Sequence, residues 1–81
     1  MRVTVKFFAI LRERAGISER VLELPEGSTV ETATRILVET YPALGEHLPK
    51  SATAVNRAYG PRDAVLQNGD ELALIPPVSG G

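Results

Sequence analysis

The residues with most to offer chemically are the last two. The sequence ends in Gly80-Gly81, which places a free α-carboxylate on a stretch of backbone without side chains. A carboxylate is a poor electrophile until its oxygen becomes a good leaving group. Glycine's missing Cβ lets such a terminus thread a slot too narrow for any other residue. A terminal glycine pair arises by chance about once in 200 chains at ordinary glycine usage. A cloning scar or a solubilising tail would look the same. The approach argues for more. Ile75-Pro76-Pro77-Val78-Ser79 follows an apolar run, and two fixed proline φ angles favour an extended stalk that holds the tip away from the body. Gly81 is therefore the candidate reactive position, Gly80 the thin neck behind it, and Pro76 to Ser79 the stalk presented to another protein.

Other reactive side chains are few. The sequence has no cysteine, which removes disulfides, thiolate metal ligands and thiol nucleophiles. The single histidine, His47, sits beside Leu48-Pro49 without the serine, cysteine or carboxylate pattern of a relay. No metal site is expected. Arg12, Glu13 and Arg14 read as a solvated face before they read as a partner contact.

Composition sets the frame that must position the tail. At 81 residues, 43% hydrophobic and 23% charged, the chain fits one domain with one core. A formal net charge of −1 offers no attraction to a polyanion, so nucleic acid is not expected as a partner. No apolar run approaches the roughly 18 residues of a membrane span. The start, Met1-Arg2-Val3-Thr4-Val5-Lys6, alternates like a strand rather than reading as a signal peptide. These features predict a cytoplasmic protein.

Val3, Val5 and Phe7 alternate with Arg2, Thr4 and Lys6, the pattern of a half-buried strand. Glu19 to Leu24 alternates again, and with Ala9 to Gly16 between them the two strands read as a hairpin with a long loop. Ser28-Thr29-Val30-Glu31 matches a capping box. From there Val30, Ala33, Leu37 and Tyr41 recur at helical spacing, joined by Ile36, until Pro42 ends the helix. An irregular segment around Gly45 to Lys50 follows. Ala52 to Asn56 reads as a short strand, Val65-Leu66 as a weak one, and Asn68-Gly69-Asp70 as the turn before a last strand, Glu71 to Ile75.

The order β-β-α-β-β with one long helix implies a two-layer α+β sandwich. Laying the last strand parallel beside the first best buries Val3, Val5, Leu72 and Leu74 under Val30 and Leu37. The fold predicted is the β-grasp, or ubiquitin-like, fold: a mixed sheet of four to five strands with one main helix on one face. Residues 1–75 would form this domain and residues 76–81 the extended tail.

Six blocks carry a more specific likeness: Phe7-Phe8-Ala9-Ile10-Leu11-Arg12-Glu13, Leu24-Pro25-Glu26-Gly27-Ser28-Thr29-Val30, Tyr41-Pro42, Ala54-Val55-Asn56, Asn68-Gly69-Asp70-Glu71 and Ile75-Pro76-Pro77-Val78-Ser79-Gly80-Gly81. In register over the whole chain, they resemble the small subunits of molybdopterin synthases. The sulfur carriers of thiamine thiazole synthesis share the fold and the diglycine, but look shorter in the middle and usually lack the Pro-Pro stalk. They are the alternative, together with a ubiquitin-like modifier joined to targets through Gly81. The chain departs from the commoner pattern at Arg57 and through Gly60-Pro61-Arg62-Asp63, which puts partner contacts there in question.

The resemblance implies a carrier rather than a self-sufficient enzyme. A ubiquitin-activating-like adenylyltransferase would adenylate Gly81 with ATP, and a sulfur donor enzyme would convert it to a thiocarboxylate. The large subunit would then use that sulfur on cyclic pyranopterin monophosphate to build the molybdopterin dithiolene. This chain would bind no cofactor, ATP serving the activating enzyme, and would assemble two-plus-two with the large subunit.

The two-residue period of a strand also suggests where partners dock. Phe8 falls opposite Val3, Val5 and Phe7, and Ile75 opposite Leu72 and Leu74. Large apolar residues on the face away from the helix call for a cover, and the resemblance implies that this face, with Tyr59 near it, meets the large subunit and the activating enzyme in turn.

Overall fold

Alternating residues that bury one side build the sheet, and the computed structural model describes it through residues 1–77. The strands are β1 (Arg2–Phe7), β2 (Glu19–Glu23), β3 (Ala52–Val55), β4 (Ala58–Tyr59) and β5 (Glu71–Ile75). They form one sheet in the order β2-β1-β5-β3-β4. β1 and β5 run parallel, with Val5 beside Leu72 and Phe7 beside Leu74, while the other pairs are antiparallel. This is the mixed sheet expected from the sequence, with the last strand in its centre.

Two helices accompany it, α1 (Ala9–Ala15) and α2 (Val30–Thr40). Two 3-10 turns, Pro42–Glu46 and Leu48–Lys50, bring the chain from α2 to β3. Val30, Ala33 and Leu37 of α2 are fully buried with Val3, Val5, Leu72 and Leu74, and Leu44 and Leu48 from the 3-10 turns close the same core. Phe7 meets Tyr41 edge to face, with ring centroids 6.1 Å apart. Arg20 donates to the Tyr41 hydroxyl at 2.8 Å, anchoring the helix end to β2.

Three local expectations are corrected. The loop expected between β1 and β2 is largely α1. Its seven residues, mostly strong helix formers, are too few to display a helical period. Leu11 is its single fully buried anchor, and Gly16 closes it at φ 78°, its N–H donating to the Arg12 carbonyl at 2.9 Å. The expected capping box is also displaced by one residue. Thr29 is the N-cap, its hydroxyl accepting from the Thr32 N–H at 3.3 Å, while the Ser28 hydroxyl donates to the Pro25 carbonyl at 2.7 Å. Neither half of the expected box forms: the Glu31 N–H, which the Ser28 hydroxyl would cap, donates to the Arg62 carbonyl at 2.8 Å, and the Ser28 N–H, which the Glu31 side chain would reach, donates to the Pro25 carbonyl at 3.2 Å. Finally, Val65 forms only an isolated bridge to Thr29, and the extra strand is β4, reached through a two-residue turn.

In that turn Asn56 and Arg57 both have positive φ, 49° and 70°. Val55 pairs with Ala58 across it, the geometry of a primed hairpin turn that favours Asn-Gly. Asn56 suits it and is tied down twice: its amide donates to Asp70 at 2.9 Å and its oxygen accepts from the Glu71 N–H at 3.0 Å. Asp70 in turn accepts from the Gln67 N–H at 2.8 Å, so the expected Asn68-Gly69-Asp70 turn and the β3–β4 turn brace each other.

Candidate functional site

The parallel β1–β5 pair decides where the stalk leaves. β5 ends at Ile75, alongside the end of β1, so Pro76 and Pro77 depart from the centre of the sheet edge next to Phe8 and α1. Pro76 is half-buried and Pro77 exposed. Val78, Ser79, Gly80 and Gly81 lie outside the described residues.

At the root of the stalk is an apolar hollow of about 660 Å³, walled by Phe8, Ile10, Ile75, Pro76 and Pro77 and edged by His47 and Lys50. Its making is local. Phe8 is extended (φ −122°, ψ 151°), which continues the pleat one residue past β1. Ala9 then turns the chain into α1 at φ 51°, leaving the Phe8 ring 43% exposed instead of folded into the core. His47 is half-buried, 3.9 Å from Glu46. A lone histidine beside a single weakly placed carboxylate is no relay.

The face away from α2 continues this surface. Pairing across the sheet sets Glu19, Lys6, Ala73, Ala54 and Tyr59 in one row. The two alanines in its middle are 8% and 3% exposed, low for an outer face, because taller neighbours stand around them. The result is an alanine-floored depression of about 340 Å³ bounded by Phe8, Tyr59, Ile75, Lys6 and Arg57. Tyr59 is 71% exposed. Phe8 and Ile75 thus share one face, as the alternation implied, with Tyr59, which the resemblance placed near it, and the stalk beside them. The sequence reading missed Ala54 and Ala73. The signal was present in the alternation of β3 and β5, but an alanine carries no apolar weight in such a pattern.

Among the described residues, charges surround the depression in balance except at Arg57. Lys6 lies 3.4 Å from Glu71 and 3.9 Å from Glu19. Farther out, Arg2 donates to Glu23 at 2.8 Å, holding that carboxyl below the usual glutamate range and raising the guanidinium. Both are exposed, so solvent screens the pair. The Gly60-Pro61-Arg62-Asp63 segment serves the fold: the Arg62 guanidinium donates to the Leu48 and Ser51 carbonyls at 3.0 and 2.9 Å. Arg12, Glu13 and Arg14 are exposed on α1. Among the described residues no three His, Asp or Glu side chains are grouped to hold a metal, and no helix is long and apolar enough to cross a membrane.

Such an arrangement can bind a protein surface beside the root of the stalk. Comparison with known proteins agrees on family and fold. The ThiS family matches residues 5–81. A relative from Chlamydomonas reinhardtii, named molybdopterin synthase sulfur carrier subunit, is 39% identical over 100% of both chains. The crystal structure of SAMP1 from Haloferax volcanii superposes with a TM-score of 0.91 at 31% identity, covering 100% of each chain. A subunit in the complex of subunits 1 and 2 of molybdopterin-converting factor from Helicobacter pylori superposes at 0.71 with 26% identity, again over 100% of each chain.

Proposed function

We propose, from the premise that the chain belongs to the ThiS family with the sulfur carrier subunits of molybdopterin synthase among its relatives, that it is the sulfur carrier of a molybdopterin synthase. The observation that carries the reading is the placement of the Pro76-Pro77 stalk at the edge of an open apolar face formed by Phe8, Tyr59 and Ile75. A protein that only folds has no use for that combination. A cosubstrate protein needs both parts, one to dock and one to reach.

The Gly81 carboxylate attacks the α-phosphate of ATP in an adenylyltransferase, forming the acyl-adenylate and releasing pyrophosphate. A sulfur donor enzyme delivers sulfide equivalents to the acyl carbon, AMP leaves, and a thiocarboxylate remains. Docked on the large subunit, the tail presents that sulfur to cyclic pyranopterin monophosphate, and the carboxylate is regenerated by water. The chain's own contribution is binding and positioning: the sheet face holds the partner, Pro76 and Pro77 fix the direction, and Gly80 passes the narrow entrance. ATP is the activating enzyme's substrate and no cofactor stays on the carrier.

A second reading has one observation in its favour, the close superposition on SAMP1, a small archaeal modifier protein. There Gly81 would be joined to lysines. Intact-mass analysis after incubation with activating enzyme, ATP and a sulfur source separates the two. Replacement of one oxygen by sulfur supports the carrier, lysine-linked adducts support the modifier, and an unchanged mass beside an active enzyme control removes both.

A further inference from the structure

Among the described residues the one uncompensated charge at the alanine-floored depression is Arg57, and its position is unfavourable for an arginine. It occupies the second place of the two-residue β3–β4 turn at φ 70°, where glycine is at ease and a side chain with a Cβ is not. A residue held in a conformation that its type disfavours invites a search for what its side chain does. Here the side chain borders the depression beside Tyr59. Among the described residues its guanidinium has no ion pair and no hydrogen-bond partner, whereas Lys6, the other cation at the rim, is shared by Glu71 and Glu19. The turn itself does not require the arginine, because Asn56 supplies its anchoring hydrogen bonds.

We propose that Arg57 is a specificity-determining residue of the docking face, pairing with a carboxylate on the large subunit at the edge of the contact made by Phe8, Tyr59 and Ile75. The inference rests on the docking role given to this face above. An arginine at the border of a desolvated apolar contact forms a charge-assisted, bidentate bond to a carboxylate, and selects against a partner with a cation or an apolar group at that point. Its contribution includes steering during approach, so salt weakens it, while the apolar contact is indifferent to salt.

The test is calorimetric titration of the full chain with the large subunit of the same organism's molybdopterin synthase, using wild type, Arg57→Gly, Arg57→Glu and Phe8→Asp at about 0.05 M and about 0.5 M salt. Glycine suits the turn, so Arg57→Gly folds at least as well as wild type, which thermal unfolding checks. Expected is a loss of about tenfold in affinity for Arg57→Gly at low salt, a larger loss for Arg57→Glu, and convergence of Arg57→Gly with wild type at high salt. Arg57→Gly within about twofold of wild type at low salt, with Phe8→Asp weakened roughly thirtyfold, would overturn the role of Arg57 and leave the face standing. If Phe8→Asp also binds like wild type, the docking reading itself falls.

Discussion

Phe8 shows how much one residue's placement decides. Its backbone extends β1 by one step of the pleat, its side chain leaves the core side occupied by Phe7, and Ala9 turns away at φ 51° before the ring can be covered. A side chain 43% exposed between two apolar hollows contributes little to folding and, in the docking role proposed for it, much to a partner's contact. Phe8→Asp therefore leaves the thermal unfolding of the isolated chain within about 0.5 kcal/mol of wild type. It should weaken the large-subunit complex by about 2 kcal/mol, roughly a thirtyfold rise in Kd by titration calorimetry. The outward direction of Phe8 and Ile75 was legible from the two-residue period alone. The alanine floor between them was not, because depth on a sheet face comes from cross-strand register, and the Lys6–Ala73–Ala54–Tyr59 row exists only once four strands are paired.

At the scale of elements, legibility followed length and amphipathicity. β1, β2, β5 and α2 each carry a repeating pattern and appeared where expected, while α1 and β4, at seven and two residues, carry too little of one. The start of α2 shows a different difficulty. Ser28 and Glu31 stand at capping-box spacing, yet the Arg62 and Ala64 carbonyls, more than thirty residues away in sequence, take the first helical amides and leave the cap to Thr29. Long-range hydrogen bonds of this kind are invisible to a local motif. The assignment predicts unequal substitutions: Thr29→Ala removes the cap and should cost about 1 kcal/mol, a fall in Tm of about 4–8 °C for a domain this small. Glu31→Ala should change Tm by far less. Equal losses in a thermal melt would return the cap to the Ser28–Glu31 pair.

Viewed whole, the domain spends one side of its sheet on the core and leaves the other side open. α2 and the 3-10 turns bury Val3, Val5, Leu72 and Leu74 from one side. The opposite side carries Phe8, Tyr59 and Ile75 next to the departing stalk. In the proposed function the activating enzyme and the large subunit accept the same tail in turn, and with docking face and stalk adjacent, both would cover the same surface. On that reading their binding would be mutually exclusive, which would give the cycle its order: the carrier would have to leave one before serving the other. Adding excess large subunit should inhibit adenylation, measured as pyrophosphate release, competitively with respect to the carrier, and more carrier should restore the rate. The Phe8→Asp variant should adenylate slowly at limiting concentration and respond little to the added large subunit. A stable complex of all three proteins on size-exclusion chromatography, with adenylation undiminished, would show that the two partners grip different faces.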